Sequence, residues 1–186
     1  MTEILCLSGS LRTVSSATAL MRTLTEAMKD AADFRFADIG ALPHYNADLG
    51  MPDEVARFIE AIEAADGVLF VTPEYNYSIP GVLKNAIDWA SRPAYRSVFK
   101  GKPAFIVSVS GGALGGVRAQ AHLKYVLNGM LADVFACQEV VVPHAPKKTE
   151  DGRFTDAAVL EFAAAALAEF IASIGTESRH STPPSR

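Results

Sequence analysis

The chain has 186 residues, of which 49% are hydrophobic and 9% aromatic, and it carries a net charge of −4. That length suits one domain with a sizeable core, and that composition excludes a disordered chain. Lys and Arg are scattered rather than grouped, so no cationic face exists to displace phosphate counterions, and nucleic-acid binding is not expected.

In chain order, "EILCLS" (3–8) predicts a first strand, and no basic region precedes it, so no signal peptide is expected. "SATALMRTLTEAMKDA" (16–31) has helical spacing, and "FRFAD" (34–38) reads as a weaker second strand. In "PDEVARFIEAIEAA" (52–65), Val55, Phe58, Ile59 and Ile62 fall at i, i+3, i+4 and i+7, one face of a helix. "GVLFVT" (67–72) is a strand, 81–91 a helix, and "PAFIVSVS" (103–110) the next strand. A helix is expected over 116–131, with Leu123, Leu127, Met130 and Leu131 on its apolar face. "QEVVVP" (138–143) is the last strand and 156–173 the last helix. The domain is thus placed at 1–174, and the polar residues 175–186 are expected to be a disordered tail.

The strands at 67–72 and 103–108 are continuously apolar, which suits parallel strands covered on both faces. Strand and helix alternating in this way predict an α/β fold: a flavodoxin-like, doubly wound, five-stranded parallel sheet in the order 2-1-3-4-5, within three α/β/α layers. The longest uninterrupted apolar runs, such as "GVLFV" and "AFIVSV", are far shorter than a membrane span, so no membrane partner is expected. Cys6 and Cys137 lie in apolar segments and read as buried reduced thiols of a cytoplasmic protein.

In such a sheet a ligand lies beyond the carboxyl ends of the strands where the winding reverses, here between strands 1 and 3. Three loops surround that point. The first, "SGSLRTVSSAT", opens a helix whose unpaired N–H groups attract phosphate; Ser10, Ser15, Ser16 and Thr18 add hydroxyls and Arg12 a charge. Capping by Ser15 or Ser16 alone would explain one serine but not the set. The loop lacks G-x-x-x-x-G-K-[ST] and G-x-G-x-x-G, so a phosphate monoester fits better than a triphosphate or dinucleotide.

The second loop, "TPEYNYSIP", is stiffened by Pro73 and Pro80, and Ser78 is a candidate cap for the helix that follows. Backbone groups of Glu74, Tyr75 and Asn76 are suited to a flat ligand's polar edge, with the aromatics beside its face. The third loop, "SGGALGG", has little side-chain bulk, so its backbone can approach a ligand closely, although glycine-rich turns also serve local needs. The histidines His44, His122, His144 and His180 have no metal-ligand spacing, and no acidic cluster makes Asp38 or Asp66 a phospho-acceptor.

"GSLR..S" at 9–15, "PEYNYSIPGVLKNAIDWASRP" at 73–93 and "SGGALGGVRAQAHLK" at 110–124 resemble the NADPH-dependent FMN reductase family, in its quinone and chromate reductase branch. "VPHAPKKTEDGRFTD" at 142–156 is a weaker match. The resemblance implies one non-covalent FMN, with NADPH or NADH as cosubstrate and a small-molecule electron acceptor. It implies that Ser10, Arg12, Ser15, Ser16 and Ala17 line the phosphate site. It further implies that Pro73, Glu74, Tyr75 and Asn76, with Ser110, Gly111 and Gly112, hold the isoalloxazine. Where the family often has an asparagine two residues after the loop serine, this chain has Ala17, one phosphate-side hydrogen bond fewer. A homodimer or homotetramer is implied as well.

No catalytic side chain is needed, because the flavin carries the electrons. Two alternatives are a flavodoxin-type FMN electron carrier without substrate turnover of its own and a flavin-free sensor domain. Carriers of that type are usually strongly acidic, and −4 is mild.

Overall fold

The computed structural model describes residues 1–177, with side chains to residue 174. Four parallel strands, β1 (Glu3–Ser8), β2 (Asp33–Phe36), β3 (Gly67–Pro73) and β4 (Pro103–Val109), lie in the order β2-β1-β3-β4. The fifth position is filled in two pieces. β5 (Asp133–Val134) pairs with Pro103 and Ala104 at the start of β4, and β6 (Val140–Val142) pairs with Val107 to Val109 at its end. The strand expected over 138–143 is therefore only the carboxyl half of that position. The other half opens on a charged residue, Asp133, and pairs over only two residues, so the short apolar run that follows it was not read as a strand.

Helices α1 (Ser16–Ala27) and α5 (Ala157–Glu177) cover one face of the sheet; α2 (Asp53–Ala64), α3 (Gly81–Ala90) and α4 (Val117–Gly129) cover the other. Successive strand residues alternate between the two cores. Ile4, Cys6, Leu69, Val71, Phe105 and Val107 face α1 and α5, while Leu5, Leu7, Val68, Phe70, Ala104 and Ile106 face α2, α3 and α4. Both faces are dry, which is why the central strands read as unbroken apolar runs.

Helix α5 departs from the expectation built on uninterrupted runs. Its segment Ala157–Ile174, with a mean hydropathy of 1.8, is long and apolar enough to cross a membrane by length and composition, and 22% of it is buried. Ala163, Ala166, Leu167 and Phe170 pack on the sheet, with Phe170 stacked on Phe105 at 5.6 Å, and Glu161 and Glu169 are exposed. The disordered tail expected over 175–186 lies, beyond the helix's last residue Glu177, outside the described residues.

A small hairpin, β7 (Thr149–Glu150) and β8 (Arg153–Phe154), was not foreseen. It lies along α1, where the Phe154 N–H donates to Thr23 Oγ1 at 3.1 Å.

Candidate functional site

The strand order brings the carboxyl ends of β1, β3, β4 and β6 side by side, and the loops that leave them meet. Gly9 continues β1 by donating to the Val71 carbonyl at 2.9 Å, and Glu74 continues β3 by donating to the Val109 carbonyl at 3.3 Å. Ser110 donates to the Val142 carbonyl at 3.0 Å, and Ala145 returns a bond to the Ser110 carbonyl at 2.9 Å. The loops are thereby laced together by main-chain bonds before any side chain is counted.

Between them lies an open pocket of about 100 Å³. Ten of the residues singled out from sequence line it: Ser10, Arg12, Ser15, Ser16 and Ala17 from the first loop, Pro73, Glu74 and Tyr75 from the second, Ser110 and Gly111 from the third. The first and second loops touch directly, with Ser10 Oγ 3.3 Å from the Tyr75 hydroxyl.

The first loop ends in a helix start built for an anion. Ser15 is the N-cap of α1, its Oγ accepting from the Thr18 N–H at 3.3 Å. The Ser16 and Ala17 N–H groups are left without acceptors among the described residues, and the first turn contains no acid. Acidic residues are favoured there because they answer the helix's positive end, so a first turn without one leaves that end to a ligand. Arg12 adds an exposed guanidinium with no ion-pair partner among the described residues. Capping accounts for Ser15, then, but the remaining donors stay open.

The second loop is a tight turn. Tyr75 and Ser78 exchange backbone bonds of 3.0 and 3.1 Å, and Asn76 and Tyr77 between them are left-handed at φ 46° and 67°. Two positive φ values in succession make a type I′ turn. The turn puts Asn76 at the exposed tip, outside the pocket wall, although its N–H stays unpaired. Ser78 is not the cap of α3, which begins after Pro80 without a side-chain cap; its Oγ lies 2.9 Å from His122 Nδ1 instead.

In the third loop the Gly111 N–H is free, whereas the Gly112 N–H donates to Ser110 Oγ at 3.1 Å and Gly112 lies outside the pocket wall. Beneath this loop a buried network sets its height: Gln120 Nε2 donates to Ser108 Oγ and to the Val140 carbonyl, each at 3.2 Å, and Ser108 donates to the Gly115 carbonyl at 2.9 Å.

Sequence reasoning missed a fourth wall, formed by Val109, Ala145 and Pro146. Pro146 stands 3.8 Å from the point a side chain on Gly111 would occupy, and His144 donates its N–H to the Gly112 carbonyl at 3.0 Å. The signal was available, since the loop after the last strand of a parallel sheet must lie beside the loop after its neighbour.

These residues fit FMN on their chemistry. One end of the pocket gathers hydroxyls, free helix N–H groups and Arg12, as a phosphate monoester requires. The other end has a tyrosine, prolines and the free Gly111 N–H, as a flat polar-edged ring requires. The one carboxylate in the wall, Glu74, accepts hydrogen bonds from the backbone of α4 and so is already engaged away from a phosphate.

Comparison with known proteins points the same way. Residues 2–147 match the NADPH-dependent FMN reductase family. The chain is 49% identical, over 67% of its length and 69% of the relative's, to an NAD(P)H-dependent FMN reductase of Pseudomonas aeruginosa. It is 41% identical, over 81% of each chain, to an NAD(P)H:quinone oxidoreductase of Solanum tuberosum. Among solved structures it resembles FerB, a flavoenzyme NAD(P)H:(acceptor) oxidoreductase from Paracoccus denitrificans, with a TM-score of 0.85 and 37% identity, covering 95% of this chain and 98% of that one. By the span of the match and the identity to these relatives, the chain belongs to the NADPH-dependent FMN reductase family.

Proposed function

We propose that this protein uses FMN in the pocket described above to pass reducing equivalents from NADPH or NADH to a quinone, or to another small acceptor such as free flavin, an azo compound or chromate. When bound, FMN would supply the redox chemistry between NADPH or NADH and the acceptor. The observation that carries the reading is a pocket with an anion-binding end that holds no acid and a ring-binding end where Tyr75, two prolines and the free Gly111 N–H meet.

The protein's part is to bind and orient. The Ser16 and Ala17 N–H groups, the Ser10 and Ser15 hydroxyls and Arg12 hold the phosphate; Pro73, Glu74 and Tyr75 position the ring from one side and Ser110 and Gly111 from the other, with Asn76 and Gly112 next to them in the chain and outside the wall. The pocket's titratable side chains are Arg12, Glu74 and Tyr75, and none is assigned as a proton donor or acceptor.

The flavodoxin-type carrier remains the contrasting reading, and turnover separates the two. Purified protein is expected to bind FMN, turn yellow, and oxidise NADPH in the presence of a quinone with ping-pong kinetics. Absence of bound flavin, with no oxidation after FMN is added, would falsify the reading; bound flavin without turnover would favour the carrier.

The same reading places the protein in the cytoplasm as a homodimer or homotetramer, without nucleic-acid or membrane partners. Both cysteines are free, which agrees with a reducing compartment. Leu11, Val14, Tyr77 and Leu114 are exposed on the loops around the site, where a second subunit would cover them. A monomer mass by sedimentation at micromolar concentration would remove the oligomer.

A further inference from the structure

Helix α4 begins without a cap of its own. Its N-cap position is Gly116, left-handed at φ 84°, with no side chain to accept from the first turn and no acid within that turn. The missing acceptor comes from another loop: Glu74 Oε2 accepts from the Arg118 N–H at 3.1 Å and from the Ala119 N–H at 3.3 Å. Glu74 Oε1 takes the Arg118 guanidinium at 3.2 Å, with the glutamate side chain only 12% exposed. The same guanidinium lies 4.6 Å over the Tyr77 ring, and His122, on the same helix, meets Ser78. The whole 74–78 turn is therefore pinned to α4, including Tyr77, whose left-handed backbone is unfavourable for a bulky residue.

We propose that the Glu74 carboxylate is a positioning group for the cofactor ring, acting as the N-cap of α4 and shielding the ring from that helix's positive end and from Arg118. The inference rests on the FMN reading above and concerns what tunes the flavin. Glu74 lines the pocket, yet its carboxylate is spent on α4. Without its charge, the helix N-terminus and the Arg118 guanidinium, which stand behind Glu74 in the pocket wall, would act on the ring uncompensated, and a reduced flavin, being the more anionic form, would be favoured.

Two variants separate shape from charge. Glu74→Gln keeps an oxygen that can accept from Arg118 and Ala119, whereas Glu74→Ala removes the cap. In the apoprotein, amide hydrogen exchange at Arg118 and Ala119 is expected to speed up about tenfold or more in Glu74→Ala and to stay near wild type in Glu74→Gln, as loss of the half-buried acceptor requires. In the FMN-loaded protein, Glu74→Gln is expected to raise the preference for reduced over oxidised FMN about tenfold, which for a two-electron couple is a midpoint rise of about 30 mV.

Unchanged exchange in Glu74→Ala would overturn the cap. An unchanged midpoint in Glu74→Gln with flavin bound would overturn the shielding, because a purely structural glutamate would leave the potential alone. Failure of the wild type to bind FMN at all would strike the functional reading instead, and the exchange measurement would still decide the cap.

Discussion

Gly9 sits where β1 ends and the first loop turns toward the pocket, and it has no room for a side chain. A methyl group there would stand 3.0 Å from Thr72 Cβ and 3.1 Å from Pro73 Cδ, against a strand end that is itself fully buried at Thr72. Neither neighbour is a flexible tip that can swing aside, so the backbone must yield. Gly9→Ala is expected to lower stability by about 1–3 kcal/mol in urea denaturation. It is also expected to weaken FMN binding in titration, because the loop carrying Ser10 and Arg12 moves with it; wild-type values for both would show that the loop tolerates displacement. At this scale the sequence was only partly informative. It marked Glu74, Asn76 and Gly112 as residues of the site, but which atoms they offer depends on neighbours distant in the chain. The Glu74 carboxylate is taken by Arg118 and Ala119, and the Gly112 N–H by Ser110, pairings that no local pattern announces.

At the scale of the element, α1 presents a first turn without an acid beside the pocket, and a single change tests what that turn is for. Ser16→Glu adds the charge a helix start ordinarily favours, so the apoprotein is expected to gain about 0.3–1 kcal/mol at low ionic strength. The same charge repels a phosphate, so FMN affinity is expected to fall about tenfold or more while riboflavin, which lacks the phosphate, binds as before. Equal loss for both flavins would mean that the substitution distorts the pocket and that the turn does not hold the phosphate. The helices and central strands of this fold were legible because burial on both sheet faces writes long apolar runs and helical spacing into the chain. The short pieces were not: β5 has two residues and begins with Asp133, and the hairpin of β7 and β8 gains its place from contact with α1. Their conformations are imposed by the packed molecule, and a local pattern cannot carry what tertiary contact decides.

At the scale of the whole molecule, Cys6 reports on the cooperativity of the sheet. It lies on β1, between β2 and β3, with no exposed surface, and burial pushes its thiol from 9.0 up to about 12. The folded protein therefore keeps this proton in a range where the unfolded chain has lost it. Above pH 9.0 the unfolded state binds fewer protons than the folded state, so stability falls as pH rises and goes on falling until about pH 12. The full effect at the end of that window is on the order of 4 kcal/mol. Cys6→Ala is expected to be less stable at neutral pH, since it leaves unfilled space in a packed core, but to lose stability less steeply above pH 9.0. Every other titratable group is common to both proteins, so the difference between the two slopes isolates the thiol. Cys137, which is only half-buried, is raised by burial as well, and Cys137→Ala is expected to flatten the alkaline limb less than Cys6→Ala does. Urea denaturation of the three proteins at several pH values from 8 to 11 measures the slopes. Parallel curves for wild type and Cys6→Ala would mean that the thiol reaches solvent without unfolding, and that the sheet opens locally at its centre.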